Sequence, residues 1–481
     1  MRVIVIGAGV GGLCAAIRLA VTGHDVAVLE RNPVTGGKLA TLTEAGYTFD
    51  LGPTLLTLPQ YLDDVFRTAG TALADEVELR RLDPQFHDRW PNGTTLDIPN
   101  DASATPAVVD AFSPGAGEAW TAFQRHTARI WEVSERTFLA GPMSSPVSLL
   151  GRVRSPLDLT RIDGARTLAK LAAATFDDPR LRQLVGRYAT YSGSSPYRAP
   201  ATLACISHVE QQFGCWHVVG GLGRIRDALE RVARDVGVDV RLGVDVGRIT
   251  TTGTRVTGVD LADGGATPAD VVVSNVDAAH LYTDLLPDPK QARRLDKIDR
   301  SMSAFVICAA VRGRTDGLAH HNVFFSLHDE QEFRYLTAGQ IPIDPTVYAC
   351  VSSVSDPTMA PAGCESWVLL VNTPPSIGLD RKLMTAAVLN RLAERGVDLR
   401  ERIEFTRTLV PADFDARYRA YGGAIYGTSS NGRQAAFQRP GNAGPVDGLY
   451  LVGGSTHPGG GLPMVATSAR IVADLVAGRH G

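Results

Sequence analysis

Three glycines near the start of the chain have the spacing of a dinucleotide-binding turn. Gly7, Gly9 and Gly12 form the pattern G-x-G-x-x-G. In that pattern the first glycine makes a tight turn, the second lets backbone approach a pyrophosphate, and the third lets a helix pack close. Val10 and Gly11 complete the turn, and the N-terminal N–H groups of the helix that follows would hold the phosphates. We predict that these five residues bind a cofactor pyrophosphate.

An acidic residue stands where such a site needs one. The apolar stretch 25–29 predicts a second strand, and Glu30 follows it directly. A carboxylate at this place accepts hydrogen bonds from a ribose and repels a 2′-phosphate. The sequence therefore disfavours NADP and leaves NAD or FAD, with Arg31 included in the predicted site.

Two further glycine groups suggest a larger cofactor site. Gly36 and Gly37 offer a second close backbone approach, and Lys38 can meet phosphate charge. At the other end of the chain a glycine-rich loop precedes a predicted helix that begins near Pro463, and proline suits a first helical turn. Two glycine loops that each cap a helix predict one bipartite site. Its C-terminal members are Gly453, Gly454, Gly461, Leu462 and Met464.

The elements that position these loops indicate an α/β fold. A chain of 481 residues is too long for one compact core. We predict a discontinuous nucleotide-binding domain from residues 1–75, 215–280 and 440–481. Residues 76–214 are predicted to form a helical insert that contacts the substrate, and residues 281–439 a mixed α+β substrate domain.

The composition narrows the class of protein. The net charge is −3 and 44% of residues are apolar, which is typical of a soluble globular chain without a nucleic-acid partner. The six cysteines form no C-x-x-C pair, so we interpret them as buried thiols in a reducing compartment. The charge-free N-terminal stretch is too short to span a bilayer, so a cytoplasmic location is expected.

One stretch has the composition of a membrane-contacting surface. Residues 138–176 carry five basic and two acidic side chains, interleaved with leucines such as Leu149 and Leu150. Such a surface can rest on an anionic bilayer. An ordinary solvated helical face is the alternative. The basic residues are Arg152, Arg154, Arg161, Arg166 and Lys170.

Histidines and tyrosines supply the other reactive side chains. Tyr191 lies in a tyrosine-rich segment that either lines a pocket or packs in a core. His208 and Glu210 lie on a predicted helix nearby. His320 and His321 are adjacent on a predicted strand, where neighbouring side chains point to opposite faces, so no metal site is predicted.

The chain resembles the phytoene desaturase family of bacterial-type carotenoid desaturases over nearly its full length. The residues that carry the resemblance are 7–12, 36–37, 50–54, 274–275, 320–326, 356–357 and 456–459. The hydroxycarotenoid 3,4-desaturases, also called methoxyneurosporene dehydrogenases, are the most similar branch. Their likeness lies in residues 187–191, 195–196, 216 and 463–464.

The resemblance implies FAD and a Rossmann-like domain of the amine oxidase/GDI-like superfamily. It implies that the 36–38 segment, with Gly52, Pro53 and Thr54, reaches the pyrophosphate and the flavin. It places the backbone of Val246 against the adenine, and the C-terminal helix dipole at the flavin.

The implied reaction is desaturation of a lipophilic polyene at a membrane surface. A hydride goes to flavin N5, and a base removes the neighbouring proton. Tyr191, His208 and Glu210 are the candidate bases, and oxygen or a membrane quinone would reoxidise the flavin. The alternatives are a phytoene-type desaturase, a redox-neutral carotenoid isomerase, a flavin amine oxidase-like enzyme and a non-enzymatic prenyl-lipid escort.

Overall fold

The computed structural model describes residues 1–143 and 151–479, so Leu149 and Leu150 of the basic stretch lie outside the described residues. The strands are β1 Arg2–Ile6, β2 Asp25–Glu30, β3 Thr41–Glu44, β4 Tyr47–Asp50, β5 Leu79–Arg81, β6 Phe86–Arg89, β7 Thr95–Ile98, β8 Trp216–Val218, β9 Asp239–Leu242, β10 Val246–Thr252, β11 Arg255–Leu261, β12 Ala266–Pro268, β13 Val271–Ser274, β14 Ser303–Arg312, β15 His321–Phe324, β16 Val347–Cys350, β17 Cys364–Thr373, β18 Ile403–Leu409 and β19 Leu449–Leu451.

The α-helices of the described residues are numbered in chain order. They are α1 Val10–Val21, α2 Gln60–Thr68, α3 Leu73–Glu76, α4 Thr105–Phe112, α5 Ala116–Ser134, α6 Pro156–Arg161, α7 Leu168–Thr175, α8 Pro179–Gly186, α9 Cys205–Phe213, α10 Gly223–Asp235, α11 Ala278–His280, α12 Pro289–Asp296, α13 Asp329–Thr337, α14 Arg381–Glu394, α15 Pro411–Tyr418, α16 Ala435–Gln438 and α17 Leu462–Val476.

A five-stranded parallel sheet carries the predicted cofactor loops. Its order is β19-β13-β1-β2-β9, so strands from distant parts of the chain lie side by side. The β-branched run of β1 is buried on both faces, as a central parallel strand requires. Helices α1 and α17 pack together against this sheet, and their apolar residues share one core cluster. The sheet thus brings the N-terminal and C-terminal glycine loops to the same edge.

A seven-stranded sheet forms the second layer. Its order is β18-β14-β17-β16-β15-β6-β7. Strands β6 and β7 form a hairpin inside the segment 76–214, which was predicted to be a helical insert. Strand β6 also pairs in parallel with β15, where Asn322 lies opposite His87. The period-two alternation of apolar residues predicts a strand but not the strand that it pairs with. The partner of β6 is β15, more than 200 residues later in the sequence.

Helices between residues 105 and 213 cover one end of the seven-stranded sheet. The core there contains Trp120, Phe123 and Phe176, whose ring centroids lie 5.6–5.9 Å apart. Among the described residues, no helix combines the length and apolar character needed to cross a membrane.

Candidate functional site

The first glycine turn forms a cradle that has no room for side chains. A Cβ added to Gly12 would lie 2.1 Å from the Gly7 carbonyl oxygen, and one added to Gly9 would lie 2.6 Å from the Asn275 side-chain nitrogen. The second glycine group stands beside the first, because the Gly36 N–H donates to the Ala8 carbonyl over 2.8 Å. Both stretches therefore expose bare backbone at one place.

The C-terminal loop reaches the same place. A Cβ on Gly11 would lie 3.2 Å from the Cα of Gly453, so the two ends of the chain are in contact. Gly461 has a φ of +106° and directly precedes Leu462, the first residue of α17. Gly454 follows Gly453 in the same loop, and Met464 packs toward the helical insert. The bare backbone formed by both glycine loops fits a dinucleotide pyrophosphate.

Asn275, which the sequence identifies only as part of the family motif 274–275, belongs to this cradle. A Cβ on Gly7, Gly9, Gly11, Gly12 or Gly453 would lie within 4 Å of Asn275. It follows β13, whose neighbour β1 is parallel, and the ends of adjacent parallel strands meet at one edge. That rule would have located Asn275 from the sequence, had the pairing of β1 with β13 been known.

The predicted ribose acceptor is fixed at the end of β2. One oxygen of Glu30 accepts from the Ala8 N–H over 2.8 Å, and the other accepts from the Asn32 N–H over 2.8 Å. Arg31 instead donates to the carbonyl of Arg417 over 2.7 Å. Val246 is buried at the start of β10.

A cavity extends from this cofactor region toward the helical insert. Gly52, Pro53 and Thr54 form part of its wall. Lys38 donates to the carbonyl of Ile425, another wall residue, over 2.6 Å. Burial lowers the pKa of Lys38, and the nearby Asp277 carboxylate opposes that shift.

Apolar and polar side chains share the lining of this cavity. The apolar and aromatic members are Leu55, Phe86, Met302, Phe325, Phe333, Tyr348, Leu370, Ile425 and Tyr426. The hydroxyl of Thr54 lies 2.7 Å from that of Tyr348, which closes the wall between the cofactor region and the seven-stranded sheet. The shape and lining suit a largely apolar substrate with a few fixed polar contacts.

Two of the three candidate bases meet at the cavity. Tyr191 lines it and donates its hydroxyl proton in a hydrogen bond to the buried carboxylate of Glu210. Burial raises the pKa of Glu210 to about 7, opposed by the Tyr191 hydrogen bond and the charge of Arg187, also in the wall. His208 is not among the described residues of the lining; its ring packs edge-on against Phe213 at 6.2 Å.

The prediction that His320 and His321 point apart is wrong. Ligand atoms of these two histidines and of Cys350 all lie within 4.8 Å of one another. Strand β15 begins at His321, so His320 belongs to the preceding turn and strand alternation does not apply to it. The prediction of six buried thiols holds for four cysteines, whereas Cys205 and Cys364 are only half-buried. Cys350 is buried but has histidine neighbours, so it is not simply a packed thiol.

The parallel sheet, the double glycine cradle and the adjoining cavity define an FAD-dependent oxidoreductase. Residues 10–477 match the family of flavin-containing amine oxidoreductases. The chain is 38% identical to a hydroxyneurosporene desaturase of Cereibacter sphaeroides, covering 99% of this chain and 97% of that protein. It is 34% identical to a 4,4′-diapolycopene oxygenase of Methylomonas, covering 99% and 98%.

A solved structure agrees on the fold. An oxidoreductase from Methanosarcina mazei superposes with a TM-score of 0.68 at 18% identity, covering 98% of this chain and all of that one. The chain belongs to the flavin-containing amine oxidoreductases and, within them, to the carotenoid desaturase family. Membership of this family favours an enzyme over the non-enzymatic escort.

Replacing Glu30 tests the ribose contact. Glu30→Ala should weaken FAD binding by about 1–3 kcal/mol, the contribution of a hydrogen bond to a charged group. Titration of the apoprotein with FAD, followed by flavin fluorescence, measures the dissociation constant. Glu118→Ala removes an exposed carboxylate on α5 and serves as the control. Equal dissociation constants for both variants would rule out the ribose contact.

Proposed function

We propose that the protein desaturates an acyclic carotenoid, and specifically that it introduces the 3,4 double bond of a hydroxycarotenoid. The observation that carries the proposal is the cavity that joins the FAD-binding segment 52–54 to the buried Tyr191–Glu210 pair. Removal of hydrogen from two adjacent carbons needs a hydride acceptor on one side and a proton acceptor on the other. The relative with 38% identity is named as a hydroxyneurosporene desaturase.

FAD, when bound, supplies the hydride acceptor at flavin N5. The residues of the chain do the remaining work. The glycine cradle holds the pyrophosphate, the apolar part of the cavity wall contacts the hydrocarbon chain, and the ionised Glu210 accepts the proton through the hydroxyl of Tyr191. Arg187 lies in the same wall, and its charge favours the ionised form of Glu210.

Product analysis tests the proposal. The purified FAD-loaded enzyme is given a panel of acyclic carotenes and hydroxycarotenes, with oxygen gas or a quinone as the acceptor. The expected product has lost two hydrogen atoms and gained one conjugated double bond at the hydroxylated end. No dehydrogenated product from any member of the panel would contradict the proposal.

Oxygenation is the second candidate, because another relative is named as a 4,4′-diapolycopene oxygenase. An oxygenase incorporates oxygen into the product, whereas a desaturase uses oxygen only as an electron acceptor. Heavy-isotope oxygen gas separates the two reactions by product mass. A desaturase should give an unlabelled product under heavy-isotope oxygen gas. It should also reach full turnover under nitrogen when a quinone is the acceptor.

We further propose that the protein works in the cytoplasm as a peripheral enzyme at a membrane surface. A long hydrocarbon substrate is scarce in water, since each buried CH₂ favours an apolar phase by about 0.8 kcal/mol. Around α6, Arg154 is exposed and Leu157 is 60% exposed. Arg161 is half exposed and pairs with Asp158 at 3.4 Å. Arg152 instead donates to the carbonyl of Pro142 over 3.1 Å, which makes it a structural residue.

Reversing the exposed charges tests this docking surface. Arg154→Glu with Arg161→Glu should weaken binding to anionic liposomes, because each basic residue near such a leaflet contributes about 1 kcal/mol. Co-sedimentation measures the bound fraction at low and high salt. Arg334→Glu with Lys382→Glu makes the same charge change on two exposed sites elsewhere and should bind normally. Equal binding by both double variants would move the docking surface away from α6.

A further inference from the structure

A cluster of buried nitrogen and sulfur ligands lies behind the cavity wall. His321 on β15 and Cys350 on β16 are direct cross-strand partners, so their side chains share one face of the sheet. His320 lies in the turn just before β15. All three residues are at most 4% exposed, and one ligand atom from each lies within 4.8 Å of the other two.

Each of the two imidazoles is oriented by a hydrogen bond at its Nδ1 atom. Nδ1 of His320 lies 2.5 Å from the Ser355 hydroxyl, and Nδ1 of His321 lies 2.8 Å from the Tyr348 hydroxyl. The Nε2 atoms of both histidines are buried and have no hydrogen-bond partner among the described residues. An unpartnered buried polar atom is costly, so a metal ion or a water molecule bound at each Nε2 would lower the free energy of the folded protein.

This arrangement is the one that metal-binding histidines adopt. A ligating imidazole binds the metal through one nitrogen, while an oxygen acceptor or carboxylate holds the other nitrogen and fixes the ring. A third histidine extends the pattern: the His217 ring centroid lies 4.7 Å from that of His320, and its Nε2 lies 2.9 Å from the Asp356 carboxylate. The Nδ1 of His217 is likewise buried without a described partner.

We propose that His320, His321 and Cys350 bind a Zn²⁺ ion, and that His217 lies beside this site. Two imidazole nitrogens and a thiolate form a ligand set of the borderline-soft kind that Zn²⁺ prefers, whereas Mg²⁺ and Ca²⁺ require oxygen ligands. Three protein ligands leave a fourth position of the tetrahedron for water or for His217.

The position of the site gives the ion a supporting role. Tyr348 holds His321 on one side and touches Thr54 on the other, and both Tyr348 and Thr54 line the cavity. A metal that fixes His321 to Cys350 therefore fixes this part of the wall. The proposal rests on the geometry of these side chains and does not depend on the proposed reaction.

Metal analysis of the FAD-loaded protein tests the proposal. The protein as purified, or after anaerobic incubation with Zn²⁺ and removal of excess, should hold close to one zinc per chain. His321→Gln and Cys350→Ser should each lower zinc affinity by about tenfold or more. Cys205→Ala and His126→Gln replace a thiol and an imidazole outside the cluster and should retain the zinc.

Cobalt substitution gives a second readout, a spectrum that is recorded on the wild-type protein and does not depend on the folding of a variant. Co²⁺ bound by the wild-type protein should show a thiolate-to-cobalt charge-transfer band, and Cys350→Ser should lack it while retaining bound FAD. A wild-type protein that takes up neither Zn²⁺ nor Co²⁺ would overturn the proposal and assign the free nitrogens to water. Equal zinc in the cluster variants and the controls would overturn it as well.

Discussion

Gly9→Trp is expected to yield a folded protein without FAD. A Cβ at residue 9 already lies 2.6 Å from the Asn275 side chain, and an indole would fill the space where both glycine loops expose their backbone. Loss of the pyrophosphate contact removes most of the cofactor affinity, because FAD is held through N–H groups of this cradle. The ratio of flavin absorbance to protein absorbance after purification measures the effect, and Gly9→Ala should show a smaller loss.

The control separates cofactor loss from misfolding. Gly378 is exposed, has nothing within 4 Å of an added Cβ and has no positive φ, so Gly378→Trp introduces the same indole without a clash. Both proteins should give the same far-ultraviolet circular dichroism. Stoichiometric FAD in Gly9→Trp would place the pyrophosphate somewhere other than the glycine cradle.

Glu210→Gln is expected to lower kcat by about 10²–10⁴-fold, the usual contribution of a positioned general base. A base must be ionised to accept a proton, and burial raises the pKa of Glu210 to about 7. The wild-type rate should therefore rise as the pH increases through about 7 and level off above it. The glutamine variant should lose this dependence along with the rate, and it should retain FAD because the cradle is untouched.

Tyr191→Phe provides the companion measurement. The hydroxyl of Tyr191 relays the proton to Glu210 and stabilises its ionised form. The variant should therefore lower the rate and move the midpoint of the pH profile of the remaining activity to higher pH. Steady-state rates across pH, on substrate dispersed in detergent, measure both variants. A full rate in Glu210→Gln would contradict the assignment, and so would an unmoved midpoint in Tyr191→Phe. His208→Gln should keep both rate and midpoint, since its ring packs on Phe213.

The cofactor cradle was the part most predictable from sequence. Gly7, Gly9, Gly12 and Glu30 depend on local rules, since a turn, a helix start and a strand end all lie within thirty residues. The C-terminal loop followed from the same chemistry. Asn275 was missed because its role depends on which strand lies beside β1, and strand order is set by contacts distant in the sequence.

The histidine cluster and the cavity were less predictable for a related reason. His320 and His321 were interpreted with strand alternation, but one residue of error in the start of β15 reverses the result. Cys350 joins them only through the pairing of β15 with β16. Tyr191 and Glu210 could be identified as reactive types, yet only the packed helices show that they touch each other and that His208 does not line the cavity.

The strand order of the parallel sheet means that the sheet can be completed only when the last part of the chain has been synthesised. Strand β1 is made first, but its neighbour β13 pairs in turn with β19, and helix α17 covers α1 only after residue 476 has been translated. At about 5–20 residues per second, the ribosome needs on the order of 20 to 90 s to supply those last elements. During that interval the apolar faces of β1 and α1 lack their final cover. The growing chain should therefore depend on chaperones until β19 and α17 are in place.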